Sequence, residues 1–428
     1  MAVRSLKLRT EMRETPPALQ PVCMNSVVRA LNPVRITRKV SRMAEADPRL
    51  RRVSPPGLPL PDCVALVLQG GGALGSYQAG VIERLDETGI EVDWVAGISI
   101  GAINAAIFAG NAPECRVARL RAFWQQAASV LPWFPIFPDD RVREWVHEWS
   151  AGVVLATGVP GFFRPRGTAP QLAAPGTAAA LSYYDTTPLR ETLDRLVDWD
   201  RVNDGPVRLS VGAVDIESGN FVYFDSARER LDARHVMASG ALPPGLPPVE
   251  IDGRWYWDGG LVSNTPLTHI LDHQRDPMLV FQVDLFSAEA TLPRTIGDVV
   301  AREKEIRFSS RTRQVTAERL RLRQERELIR RLVAKLPVEL RDDADVRALE
   351  AMADEHPLSL VHLIYRANRW EGGARDYEFS TRAMQEHWAA GRAAIADTLA
   401  NARVVAENIL DGRTAAFDLT PHLHQRQG

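Results

Sequence analysis

The sequence predicts an α/β fold built on a mostly parallel sheet flanked by helices, with a helical extension at the C-terminal end. Three observations lead there. Cys63–Leu68 is an unbroken apolar run of strand length, as suits a parallel strand buried on both faces. A glycine loop, Gly70 to Gly75, follows it and runs into a helical stretch with Val81, Ile82 and Leu85 on one side. Trp94–Ile98 then reads as a second strand, leading into a small-residue helix from Ile100 to Gly110. Strand, helix, strand, helix implies a right-handed βαβ unit.

Further strands are expected at Val207–Asp215, Asn220–Phe224 and Met278–Leu285, with a strand or hairpin over Val249–Trp257. Pro188 sits where a first helical turn tolerates it, so Pro188–Leu196 reads as helix. The stretch from Leu131 to Leu181, with Trp133, Phe134, Phe137, Phe162 and Phe163, reads as a long irregular apolar connection, a lid or binding loop. Residues 61–287 are thus expected to form the α/β domain, 288–412 a mainly helical region with room for one strand, Leu358–Tyr365, and 413–428 a tail. In that region Ile296–Leu336 is a long helical pattern crowded with arginine, with Val315, Leu322, Ile329 and Val333 recurring on it. Ser380 is placed to cap a last helix through Leu399. Two readings of the basic helix stay open. One is peripheral contact with an anionic lipid surface; the other is packing on its own domain or a partner subunit, its charges paired to Glu303, Glu318, Glu325 and Glu327.

Composition narrows the class. The chain has 428 residues, 45% hydrophobic and 25% charged, the balance of a globular protein with a sizeable core. A formal net charge of -2 argues against a nucleic-acid partner. Cys23, Cys63 and Cys115 form no CxxC pair, so neither a disulfide framework nor a zinc site is expected, and a reducing compartment is the simpler reading. Val95–Pro113 is broken by Ser99, Asn104 and glycines, and reads as strand, turn and helix instead of a membrane span. With no signal-peptide core before Cys63, a cytoplasmic protein is expected. Residues 1–60 are basic and aperiodic: a disordered leader or a start placed too far upstream, against a membrane-binding arm or targeting peptide.

Three motifs carry chemistry. Gly97-Ile98-Ser99-Ile100-Gly101 is a GxSxG pentapeptide between a strand and a helix, the context of a nucleophile elbow. Gly97 and Gly101 remove the Cβ atoms that a sharp turn would crowd, and Ser99 is offered at a helix N-terminus, where a developing anion is favoured. Gly70, Gly71, Gly72 and Gly75 can aim backbone N–H groups at an oxyanion. The same glycines satisfy GxGxxG, but a dinucleotide fold wants an acidic residue ending the second strand, and Asp93 begins it. Asp258, held by Gly259 and Gly260 beside Trp255, Tyr256 and Trp257, is a candidate general base. A free aspartate, with a pKa of roughly 3.9, is a poor base, and burial would raise it. His235, His269, His273 and His362 have no surroundings that suggest a dedicated base.

Together these motifs resemble the patatin-like phospholipase family, over roughly Asp62 to Leu285. The resemblance rests on the glycine loop, GxSxG and Asp258-Gly259-Gly260, in that order, with Ala238–Pro243 and Asn264-Thr265-Pro266 also similar. It implies a three-layer fold and a Ser99–Asp258 dyad without histidine, acting on lipid acyl esters with no metal or cofactor. The stretch beyond is similar to the extra C-terminal region of a bacterial subset of the family. One departure stands out: many members have Arg or Lys where this chain has Leu74. An acyltransferase, a thioesterase or a catalytically silent lipid-binding protein would share the same motifs.

Overall fold

The computed structural model describes residues 52–53, 57–128, 140–353, 356–368 and 371–420. Cys23, most of the basic leader, Trp133, Phe134 and Phe137 lie outside these residues. A nine-stranded sheet organises the rest. Its strands in chain order are β1 Cys63–Leu68, β2 Trp94–Gly97, β3 Arg208–Asp215, β4 Phe221–Asp225, β5 Val249–Ile251, β6 Arg254–Asp258, β7 Met278–Asp284, β8 Leu358–Ile364 and β9 Ala415–Asp418. The spatial order is β9-β8-β7-β1-β2-β3-β6-β5, with β4 pairing β3. From β9 through β3 every neighbour is parallel, whereas β4, β5 and β6 run antiparallel.

Alternation along the central strands sorts the core into two layers. Leu66, Leu68, Phe281 and Val283 face one, with the helices Gly75–Glu87, Ile100–Ala109 and Pro113–Ala127. Ala65, Val67, Val280 and Leu360 face the other, against Leu267, Ile270 and Leu271 of the helix Leu267–Asp272. Helix, sheet and helix make three layers, and the apolar runs read as doubly buried strands are that. No helix among the described residues is long and apolar enough to cross a membrane.

The C-terminal region is more than an extension. It returns two strands to the sheet, β8 beside β7 and β9 beside β8. The second falls in the stretch read as a tail; Ala-Ala-Phe-Asp at a sheet edge carries no periodic signal. Its helix Thr381–Ala400, capped by Ser380 as expected, packs across Gly75–Glu87. The helices touch through glycine: a Cβ on Gly80 would lie 2.0 Å from the Trp388 carbonyl oxygen, and one on Gly391 2.0 Å from that of Tyr77. Glu83, buried at the crossing, accepts from Trp388 Nε1 at 2.7 Å and pairs with Arg392 at 2.6 Å. Gly391→Ala is therefore expected to destabilise the protein by about 3 kcal/mol, since backbone cannot yield as a side chain can. Urea unfolding would measure it, and a loss under about 0.5 kcal/mol would show the helices are free to separate.

Two other expectations change. Leu58 and Leu60 are buried and Arg52–Val53 pairs with Pro59–Leu60, so paired strand and buried side chains occur before the boundary expected at 61. The connection read as irregular contains the helix Asp140–Thr157, and Phe162 and Phe163 sit in the core beside Phe123 and Phe379. Proline and glycine on its flanks hid that helix. The long basic helix, Ile296–Val333, buries Glu305, Ser309, Thr316, Arg323 and Val333. Its outer charges pair with Glu303, Glu325 and Glu327 four residues away. It packs on its own chain.

Candidate active site

Ser99 lies between β2 and the helix Ile100–Ala109, with φ 54° and ψ −122°. Among the described residues only Ser99 and Asp252 combine a side chain with positive φ. Such a conformation is strained and persists only where the surroundings enforce it. They do so here with backbone. A Cβ on Gly97 would come within 2.2 Å of the Gly101 carbonyl oxygen, and one on Gly101 within 2.3 Å of Leu68's. The elbow is thus folded tightly against the end of β1. Ser239 fixes it from the far side, its Oγ accepting the Ser99 N–H at 3.0 Å.

Asp258 ends β6, paired opposite Ala213 of β3, which brings it level with the elbow. It is 2% exposed, and one carboxyl oxygen accepts the Gly260 N–H at 2.7 Å. The Ser99 side chain also acts on the carboxyl, favouring its charged form. Burial pushes the Asp258 carboxyl up to about 6, against the bonds from Ser99 and Gly260 that favour its charge. Gly259 is needed for close approach, since a Cβ there would meet the Gly212 carbonyl oxygen at 2.6 Å. Serine and aspartate, some 160 positions apart in the sequence numbering, meet at one end of the sheet.

The glycine loop divides into two roles. Gly70 donates its N–H to the Asn264 carbonyl at 3.2 Å, and Gly75 donates to Gly72 and Ala73 in the turn that starts its helix. Neither amide can serve an oxyanion, which corrects the expectation for both. They are glycine for room: a Cβ on Gly70 would strike Asn264 Oδ1 at 2.4 Å, and one on Gly75 would strike Ile100 at 2.5 Å. Among the described hydrogen bonds none has the N–H of Gly71, Gly72 or Ile100 as donor, so these three amides remain for a ligand. Asn264 closes the frame by donating to the Gly70 carbonyl at 2.9 Å. Leu74, where many members of the family have Arg or Lys, is fully buried in the core.

Sequence reasoning met Ser239 and Asn264 only as parts of a family resemblance. Both act through uncharged hydrogen bonds, which leave no mark in composition or spacing. The histidines have structural partners. His269 is buried on Asp225 at 2.8 Å, in a network with Arg208 and Ser210. His235 completes the capping box of Asp232, His273 Nδ1 meets the His269 carbonyl, and His362 pairs with Asp284. No group of residues among those described could hold a metal ion.

A family model described as patatin-like phospholipase matches residues 66–271, and a second, described as patatin phospholipase, matches residues 306–409. The chain is similar to lysophospholipase nte1 of Aspergillus terreus, 26% identical over 246 residues, covering 55% of this chain and 13% of that protein. It is likewise similar to lysophospholipase NTE1 of Kluyveromyces lactis, 27% identical over 238 residues, covering 55% and 13%. The chain therefore spans a small part of the length of these relatives. Among solved structures, human GIVD cytosolic phospholipase A2 is similar at a TM-score of 0.41 and 11% identity, over 89% of this chain and 64% of that one.

Proposed function

The chain belongs to the patatin-like phospholipase family, and from that premise we propose that it hydrolyses carboxylic esters of lipids through a Ser99–Asp258 dyad and an acyl-enzyme. The observation that carries this reading is the strained Ser99 set beside a buried, proton-hungry carboxyl and three unspent amides. Asp258 takes the Ser99 hydroxyl proton as Oγ attacks the ester carbonyl carbon. Negative charge moves to the carbonyl oxygen, where the amides of Gly71, Gly72 and Ile100 stabilise it. The C–O bond to the alcohol then breaks, and Asp258 returns the proton to that oxygen. Water, deprotonated by the same carboxylate, attacks the acyl-enzyme and releases the fatty acid and Ser99.

Two features support a lipid substrate. The curated relatives bear the name lysophospholipase. Around the dyad, Leu242, Leu261 and Val262 remain about two-fifths exposed, next in sequence to Ala241 and the Gly259-Gly260 turn. An acyl chain laid along such a rim would bury apolar surface on both partners, worth about 25 cal/mol per Å².

A fluorophosphonate probe tests the reading, since it reacts only with an activated serine. Labelling is expected on the peptide that contains Ser99, together with fatty-acid release from lysophosphatidylcholine that the probe abolishes. Labelling confined to another peptide, or lipid turnover untouched by full modification of Ser99, would refute it.

A further inference from the structure

The glycine loop poses a problem of orientation. Three successive glycines are loose, yet a preorganised oxyanion site needs amides that do not wander. Gly70 is tied to Asn264 at both its N–H and its carbonyl. Gly71 has Leu285 against it, where a Cβ would lie 2.7 Å from that side chain. Gly72, at φ 56°, is closed from the other side by the C-terminal region, since a Cβ there would lie 2.2 Å from the Asp376 carbonyl oxygen. The contact comes from a short helical turn, Arg375–Tyr377.

That turn is anchored on every side. The Asp376 carboxylate takes Lys304 Nζ on both oxygens, at 2.8 and 2.9 Å. Arg375 is buried on Glu305, one residue along the same long helix, and Glu305 also holds Arg302 at 3.0 Å. Glu378 accepts from Ser150 Oγ at 2.6 Å and faces His147 at 3.3 Å. Glu371 accepts the Tyr365 hydroxyl at 2.6 Å. So many desolvated charges are a poor way to gain stability, but they specify one position. Tyr377, at the end of the turn, lies within the field of the dyad. Burial and the charges of Asp376, Tyr184 and Asp258 push its phenol up to about 12.

We propose that the Lys304–Asp376 pair is a positioning device for the oxyanion loop, supplied by the C-terminal region, which holds the Asp376 carbonyl against Gly72 and thereby fixes the direction of the Gly71 and Gly72 amides. The charges cancel within the pair, so its effect on the reaction is geometric. This rests on Ser99 being the nucleophile, and the test separates the two ideas.

Lys304→Met and Asp376→Asn are compared with Lys304→Arg, which keeps the ion pair, in the full chain. Two readouts are taken: steady-state hydrolysis of a p-nitrophenyl ester, and amide hydrogen exchange of the peptide spanning Gly70 to Leu74. The first two variants are expected to lose about 10- to 100-fold in kcat, with KM within about twofold, because small misplacements of reacting groups cost that much. Exchange at the Gly70 and Leu74 amides should quicken in both, and Lys304→Arg should restore both readouts. If kcat is unchanged in Lys304→Met and Asp376→Asn, the proposal falls, whatever exchange shows. A rate loss that Lys304→Arg shares in full also overturns it. If wild type neither turns over nor takes a fluorophosphonate, the nucleophile assignment fails, and exchange alone decides whether the pair positions the loop.

Discussion

Ser99→Ala is expected to lower turnover of an activated ester by at least about 10³-fold while leaving the fold intact. Among the described residues, the Ser99 side chain is the hydroxyl that acts on the Asp258 carboxyl, and in the proposed reaction it forms the acyl bond. Residual rate would come from the amides of Gly71, Gly72 and Ile100, which polarise an ester carbonyl without a covalent step. Alanine at 99 keeps the positive φ, so the melting temperature should hardly move. Ser99→Gly is the informative partner. Glycine accepts φ 54° without penalty, and the variant should gain about 1 kcal/mol as it loses activity. Steady-state assays with thermal melts check both. Ser99→Ala within tenfold of wild type, in protein freed of contaminating esterase, would end the assignment.

What could be read from the sequence follows a physical line. The elbow was legible because steric demand writes itself into residue type: Ser99, at φ 54°, is flanked by two positions where a Cβ would meet backbone oxygen within 2.5 Å, so both must be glycine. β1 and β2 were legible because burial on both faces removes every polar residue from a run, and β7 because its first half, Met278 to Phe281, is apolar without a break. Asp258 was legible through the glycines that hold its turn. Amide direction was not. Gly70 and Gly75 look like Gly71 and Gly72 in one dimension, and only the partners Asn264 and Ala73 reveal which N–H groups are already used. The wrapping of residues 296–418 around the site was hidden for a different reason. Gly80 and Gly391 meet from opposite ends of the chain, and Lys304 meets Asp376 across 72 positions. No local period encodes such pairings.

Asp258→Asn should abolish activity and strengthen the fold together. Asparagine still accepts the Gly260 N–H and still faces Ser99, but it cannot take a proton, so turnover should drop by at least about 10³-fold. The stability change follows from the raised pKa. In the folded chain Asp258 titrates at about 6, against 3.8 when unburied, so between those values the folded state holds a proton that the unfolded state has lost. Stability conferred by the neutral acid is complete below about pH 4 and is lost as pH rises through 6. At pH 7 the protein bears the cost of a desolvated carboxylate, an upper bound of about 3 kcal/mol from the shift. Neutral asparagine avoids that cost. Urea unfolding should therefore find the variant more stable than wild type at pH 7 and nearly equal to it at pH 4. The same carboxyl governs the rate, because only its ionised form is a base. Wild-type kcat/KM should rise tenfold per unit below pH 6 and level off above it. A flat rate down to pH 5, with no stability gain in the variant at pH 7, would show that the carboxyl is charged throughout and that burial does not make it a base.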